Sequence, residues 1–319
     1  MSESSETVRD SAQADSSHAG KRLDQVAALL FPDHSRARLQ KWIRSGELTV
    51  DGNAAKTTYR INGGERLCLE ARQGQQTSVE PQDIPIDLIH ADPDLIVVNK
   101  PAGLVVHPAA GNPDGTLQNA LLHFDPALAA LPRSGIVHRL DKDTSGVMVV
   151  ARSLRAHTSL VNQLQTRTMS RKYRAVATGE IVAGGTVDAP IGRHPRDRKR
   201  MAVVHSGKPA VTHYRVLERY PGVTYLEVAL ESGRTHQIRV HMAHIGHSLA
   251  GDPVYGRPLK NRRDIPADLV QLVRSFSRQA LHAHSLTLVH PEWKKQVTFK
   301  APLPSDLRAL LAGLDGISP

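Results

Sequence analysis

Between residues 84 and about 311 the chain is written in short runs of β-branched and aromatic residues. Examples are LIVVNKP (95–101), GLVVHP (103–108), YRAVATGE (173–180), VTHYRVLERY (211–220) and VTYLEVALE (223–231). Runs of this composition and length predict strands. Helical candidates are few and include the stretches after Ser153 and after Thr235. There is no regular strand–helix alternation, no G-x-G-x-x-G and no P-loop. The expected fold is therefore α+β, with a mixed, largely antiparallel central sheet and flanking helices.

At 319 residues the chain can hold one large domain and one small one. No apolar stretch approaches the length that crosses a bilayer, and the N-terminus lacks a signal-peptide pattern, so a cytoplasmic, non-membrane protein is expected. A single cysteine, Cys68, excludes an internal disulfide framework. The net charge of +10 points to a polyanionic partner, RNA, DNA or an anionic membrane alike.

Residues 1–19 are rich in Ser, Asp and Glu, and a disordered tail is expected there. Residues 20–70 form a compact unit. Leu23, Val26, Ala27 and Leu30 recur at helical spacing, and Ser35 reads as the cap of a second helix that Gly46 ends. On that second helix Leu39, Trp42 and Ile43 share one face, and Arg38, Lys41 and Arg44 make a basic stripe on another. LTVDGNA follows, an Asp-Gly turn between strand residues and hence a hairpin. Residues 71–83 are polar and aperiodic, which predicts a linker that leaves the small unit free to reorient. A catalytic unit over 84–312 and a C-terminal tail over 313–319 complete the expected organisation.

The nine residues HRLDKDTSG (138–146) stand out within the large unit. Apolar residues flank them, Ile136 and Val137 before and the run from Val147 to Val150 after, so Asp141 is expected on a short polar loop between two strands. Arg139 and Lys142 on either side favour its charged form. Asp143 is expected to shape the loop by accepting from backbone amides. A solvated salt-bridge cluster would satisfy the same residues.

HRLDKDTSG, RKYRAVATGE (171–180) and SGRTHQIRVHMAH (232–244) occur in this order, and together they resemble the motifs of the pseudouridine synthases that modify ribosomal and transfer RNA. The resemblance runs from about residue 20 to near the C-terminus. FPDHSRARLQKWI, PQDIPID, VVHPAAGNPDGT, GKPAVTHYRV and GDPVYG narrow it to members acting on the large ribosomal subunit. The N-terminal unit resembles the S4 RNA-binding domain. Ser145 and Ser232 are minor departures that touch no proposed reacting atom.

The resemblance implies isomerisation of uridines in 23S ribosomal RNA, in the stem-loop at the subunit interface, on the RNA or a large-subunit precursor particle, with no cofactor and no metal. It makes Asp141 the catalytic carboxylate, acting on the sugar as a nucleophile or by assisting proton removal toward a glycal. Tyr173 is then the tyrosine that stacks on the uracil, Arg239 the salt-bridge partner of Asp141, and Ile238 the aliphatic residue packed on the base. Arg139 and His138 serve the flipped nucleotide, whose extrusion requires a few kcal/mol. Arg193, Arg196, Arg198, Lys199 and Arg200, in RHPRDRKR, read either as a phosphate-contacting loop or as a solvated charged one, and the S4 resemblance implies RNA contact by the Arg38, Lys41 and Arg44 stripe on the small unit. His241, His244 and His247 invite a metal reading, but no further ligand completes a shell. Other readings remain open. The same chemistry could serve another ribosomal or transfer RNA site, a non-catalytic assembly factor could keep the fold, and a glycosylase would release free uracil.

Overall fold

The computed structural model describes residues 7–32, 34, 36–72, 79–109, 111–259 and 261–317. The chain divides into two compact units, 1–78 and 79–319.

In the first unit, β1 (Thr7–Gln13) precedes α1 (Leu23–Leu30) and α2 (Arg36–Ser45). β2 (Leu48–Val50), β3 (Asn53–Ala54) and β4 (Arg66–Arg72) follow, and the sheet order is β1-β4-β2-β3. Leu23, Val26, Leu39, Trp42 and Ile43 from the helices meet Leu48, Leu67 and Leu69 from the sheet in one apolar cluster. Asp51 and Gly52 both take positive φ, 47° and 77°, the backbone that a two-residue hairpin turn with the strands' twist requires.

The expectation of a disordered tail over 1–19 is corrected for residues 7–19, while residues 1–6 lie outside the described residues. Thr7–Gln13 pairs antiparallel with Arg66–Arg72 along its whole length. Val8 and Ala12 pack on the core, and Ala14 is buried. The open edge of β4 supplies main-chain hydrogen bonds that side-chain polarity does not reveal. The Ser35 cap and residues 73–78 of the expected linker lie outside the described residues.

Asp24 is sealed in this unit, its carboxylate accepting from Arg22, Arg36 and Gln40 at 2.6–3.2 Å. Burial alone would raise its pKa, but these donors outweigh it and hold the group at about 2. The unfolded value is about 3.9. Its stabilising contribution is therefore complete above that value and fades as the pH falls toward 2. Arg22 and Arg36 are 39% and 49% exposed, so solvent screens the pairs and the contribution is on the order of 1 kcal/mol. Asp24→Asn is expected to lower the melting temperature at neutral pH and to converge with wild type near pH 2. A constant offset across an acid titration of thermal unfolding would contradict this.

In the second unit, β5 (Leu88–Ala91) and β6 (Leu95–Lys100) lead to α3 (Leu117–Phe124). β7 (Ser145–Ala151), α4 (Leu154–Gln165), β8 (Ser170–Thr178) and β9 (Gly185–Asp188) follow. β10 (Ile191–Arg193) and β11 (Met201–Val203) form a separate hairpin. Next come β12 (Val211–Tyr220), β13 (Val223–Leu230), α5 (Gln237–His244) and α6 (Ala267–Ser275). β14 (Leu281–Val289), β15 (Gln296–Lys300) and α7 (Ser305–Ile317) end the chain. The main sheet runs β5-β6-β7-β14-β8-β13-β12-β9 with β15 beside β14, and only β7 and β14 pair parallel. The mixed, mainly antiparallel α+β architecture is the one expected. β7 is buried along its entire length, as its unbroken apolar run requires of a central strand.

Several local expectations change. GLVVHP is not a strand, because Leu104 gives its carbonyl to Lys100, and Val105 and Val106 give theirs to the first amides of α3. Ile136 contributes a single bridge to Val150 rather than a strand. The supposed C-terminal tail is helical to Ile317, with Leu314 buried between α7 and its neighbours.

Candidate active site

The loop carrying Asp141 is fixed by its main chain. The Lys142 carbonyl accepts from the Gly103 amide (3.0 Å) and from Lys100 Nζ (2.9 Å), which also donates to the carbonyls of Pro101 and Leu104. Lys100 is fully buried, and burial draws its pKa down to about 7 against the opposing pull of Asp143 and Asp141. Three carbonyls around one amine are all satisfied only by the three protons of the ammonium form. Arg278 donates to the Asp143 carbonyl (3.0 Å), and Gln279 to the Thr144 hydroxyl (3.1 Å). The expected amide-capping role of the Asp143 side chain is thus replaced by its carbonyl. The turn amide of Thr144 bonds the Asp141 carbonyl. Gly146 ends the loop at φ 117°, where a Cβ would lie 2.1 Å from the Ala283 carbonyl of β14. Only glycine lets β7 run this close beside β14.

Arg239, on α5 and 5% exposed, holds two carboxylates. Its Nη1 donates to Asp141 Oδ2 (3.0 Å), while Nε and Nη2 form a two-pronged pair with Asp252 (2.7 and 2.9 Å). Burial opposes the Arg239 charge, but Asp252 and Asp141 more than restore it. Burial likewise raises Asp252, and Arg239 with the Tyr255 and Val254 amides brings it below the ordinary carboxylate range. Among the described residues the arginine or lysine paired with Asp141 is Arg239. The sequence neighbours Arg139 and Lys142 make no such pair, and Arg139 reaches toward His107 instead (3.5 Å). The second oxygen of Asp141 has His236 Nε2 at 3.9 Å, beyond hydrogen-bond reach.

A cleft of about 920 Å³ opens over this pair. Asp141, Tyr173, Ile238, Arg239, His138 and Arg139 all line it, so residues from three separate stretches of sequence converge. Tyr173 lies on β8 between Val228 of β13 and Ala283 of β14. Burial raises its pKa, with Arg171 opposing and Asp141 adding, so its hydroxyl keeps its proton at neutral pH. Ile238 precedes Arg239 on α5 and is buried. α5 begins at Gln237, directly after His236. His138 accepts the Val149 amide through Nε2 (3.1 Å), and burial, with Arg171 nearby, lowers its pKa to about 3. It fastens the loop to β7 as a neutral ring.

The sequence reading missed Asp252, Lys100 and His236, and also Arg133, Arg167, Arg171 and Arg234 in the cleft wall. Asp252 sits in GDPVYG, where its chemistry had no visible partner in sequence. Arg193, Arg196, Arg198, Lys199 and Arg200 lie on or beside the β10–β11 hairpin and do not line the cleft. Lys41 and Arg44 are exposed on α2, and Arg38 stacks over Trp42 (5.3 Å).

Two of the three histidines, His241 and His247, have structural partners, and His244 is exposed. His241 is buried, its two ring nitrogens bonded to Thr212 Oγ1 and the Ala189 carbonyl (both 2.9 Å), and His247 meets the Thr178 carbonyl. His90, Asp92 and His290 also converge. There the Glu292 and Trp293 amides donate to His290 Nδ1, which leaves the ring proton on Nε2, facing Asp92 Oδ2 at 3.0 Å. A metal would have to displace that proton, so the three act as a clasp from the β5–β6 turn to the end of β14.

A family model described as RNA pseudouridylate synthase matches residues 94–244, and one described as S4 domain matches residues 21–67. The human RNA Pseudouridylate Synthase Domain Containing 1 structure superposes with a TM-score of 0.54 and 28% identity, over 72% of this chain and 89% of that one. With this fold and cleft, the chain belongs to the RNA pseudouridylate synthase family, whose members are isomerases. A relative from Xanthomonas campestris pv. campestris, named ribosomal large subunit pseudouridine synthase D, is 54% identical over 93% of this chain and 90% of its own length. A relative of the same name from Pseudomonas aeruginosa is 53% identical over 97% and 96%.

Proposed function

We propose that this enzyme isomerises uridines of large-subunit (23S) ribosomal RNA to pseudouridine, in the subunit-interface stem-loop, acting in the cytoplasm on the RNA or a precursor particle. The observation that carries the reading is the Asp141–Arg239–Asp252 array in a cleft that also holds Tyr173 and Ile238. The relatives named for the large ribosomal subunit support the substrate. No described helix is long and apolar enough to cross a membrane.

In the reaction the bond from the ribose anomeric carbon to uracil N1 breaks, the base rotates, and a bond forms to C5. The C5 proton is lost and N1 gains one, so the change is balanced without a redox partner or group donor. Asp141 serves the sugar, and Arg239 fixes one of its oxygens and leaves the other to react. Tyr173, protonated, presents its ring to the base with Ile238 opposite. Arg139 supports the flipped nucleotide. Arg171 Nε is buried without a hydrogen-bond partner among the described residues, a donor suited to a substrate oxygen. The cleft arginines and the exposed basic residues of α2 and the β10–β11 hairpin take the phosphates.

Unmodified large-subunit RNA labelled with tritium at uridine C5 should release tritium with the enzyme, and carbodiimide primer extension should map the products to that stem-loop. Release from transfer RNA alone would remove the ribosomal substrate. Free uracil in place of pseudouridine would make the chain a glycosylase.

A further inference from the structure

His236 precedes α5 at φ 57° and ψ 22°, a left-handed conformation that costs a residue with a β-carbon of order 1–3 kcal/mol. The surroundings hold it there. Its Nδ1 lies 2.8 Å from the Tyr255 hydroxyl, and the two rings meet edge to face at 5.6 Å. Tyr255 belongs to the turn whose carboxylate, Asp252, grips Arg239, and its amide donates to Asp252 Oδ1 (3.0 Å). Its hydroxyl also accepts the amide of Met201 (2.9 Å), the first residue of β11 and the one after Arg200. The guanidinium groups of Arg200 and Arg239 lie 5.3 and 5.1 Å from the centre of the Tyr255 ring.

Counting hydrogens assigns the tautomer. The Tyr255 oxygen receives the Met201 N–H and has one proton to give, and among the described residues the acceptor within reach is His236 Nδ1. The ring's own proton then sits on Nε2, facing the oxygen of Asp141 that Arg239 leaves free. Burial, ahead of the opposing Asp141 charge, keeps the ring neutral.

We propose that His236 and Tyr255 are positioning residues for Asp141, anchored on the basic β10–β11 hairpin: Tyr255 locks the His236 tautomer, and the Nε2–H holds the reactive oxygen of Asp141 in line. This rests on reading Asp141 as the catalytic carboxylate. The 3.9 Å separation needs to shorten by about 1 Å to become a hydrogen bond, as catalytic contacts commonly do when substrate binds.

The test uses the full chain and the same ribosomal RNA. Single-turnover rates at saturating enzyme and separate RNA affinities are measured for Tyr255→Phe, His236→Asn, the double variant and Asp141→Asn. Phenylalanine keeps the ring under both guanidinium groups and removes only the hydroxyl. Asparagine tolerates the left-handed backbone and stops short of Asp141. Each single variant is expected to be about tenfold slower with RNA affinity within twofold of wild type, and the double variant to be no slower than His236→Asn. Rates that multiply in the double variant, losses in affinity rather than rate, or wild-type rates would each overturn the proposal. An active Asp141→Asn would instead remove the reading beneath it. Melting curves for every variant separate a lost fold from a lost position.

Discussion

Asp141→Asn is expected to lower isomerisation on the order of 10⁴-fold, while RNA affinity stays within a few-fold of wild type. Asparagine has the shape of aspartate and keeps an oxygen for Arg239 Nη1, but it has no charge to stabilise a developing cation at the sugar and no carboxylate to add there. The fold should tolerate the change. Asp252 still neutralises Arg239 with two short hydrogen bonds, so removing the Asp141 charge does not leave the guanidinium buried alone. The carboxylate is also 19% exposed, which screens its share of the pair. A loss near 1 kcal/mol would move the melting temperature by roughly 2–4 °C in a unit of this size. Tritium release and filter binding on the same preparations separate the two effects. A variant retaining more than about one per cent of the wild-type rate would exclude Asp141 as the reacting group.

Asp252→Ala should act the other way, mainly on stability. Its carboxylate is fully buried, gives Arg239 its two-pronged partner and also accepts the Val254 and Tyr255 amides. Alanine leaves a nearly buried guanidinium with Asp141 alone and orphans two amides. Removing one partner of such a pair costs about 3–5 kcal/mol, or a fall in melting temperature of roughly 6–20 °C. Activity should fall with it, because Arg239 loses the group that sets its plane. Calorimetry of Asp252→Ala beside Asp252→Ala/Arg239→Met tests the cause: removing both partners should recover part of the loss. A loss under about 1 kcal/mol, or no recovery in the double variant, would mean that the pair is not the electrostatic keystone described here.

The extent to which the sequence disclosed these features follows from the range of each interaction. The hairpin at Asp51-Gly52, the helix begun by Ser153 and the buried strand β7 are written in local patterns, because turn backbone, end-capping and side-chain periodicity act within a few residues. The candidate carboxylate was legible for the same reason, since HRLDKDTSG carries its loop, its charge and the glycine that admits β14. The N-terminal strand was misread because its pairing partner lies some sixty residues away on β4, and edge hydrogen bonding leaves little trace in polarity. Arg139 and Lys142 looked like the cations on Asp141 because they adjoin it in the chain, yet on a tight loop their side chains diverge from it.

The amino-acid order by itself determined the α+β class, the family motifs and the elements bearing Asp141, Tyr173, Ile238 and Arg239. Folding decided which charges meet. It brought Arg239 from ninety-eight residues away onto Asp141, gave that arginine its second carboxylate in Asp252, and set Lys100 beneath the loop. It also ran Met201, Tyr255 and His236 into one hydrogen-bonded path. Periodicity reports which face of an element is buried, whereas a buried charge is stable only beside its counter-charge, and the fold alone decides where that counter-charge lies.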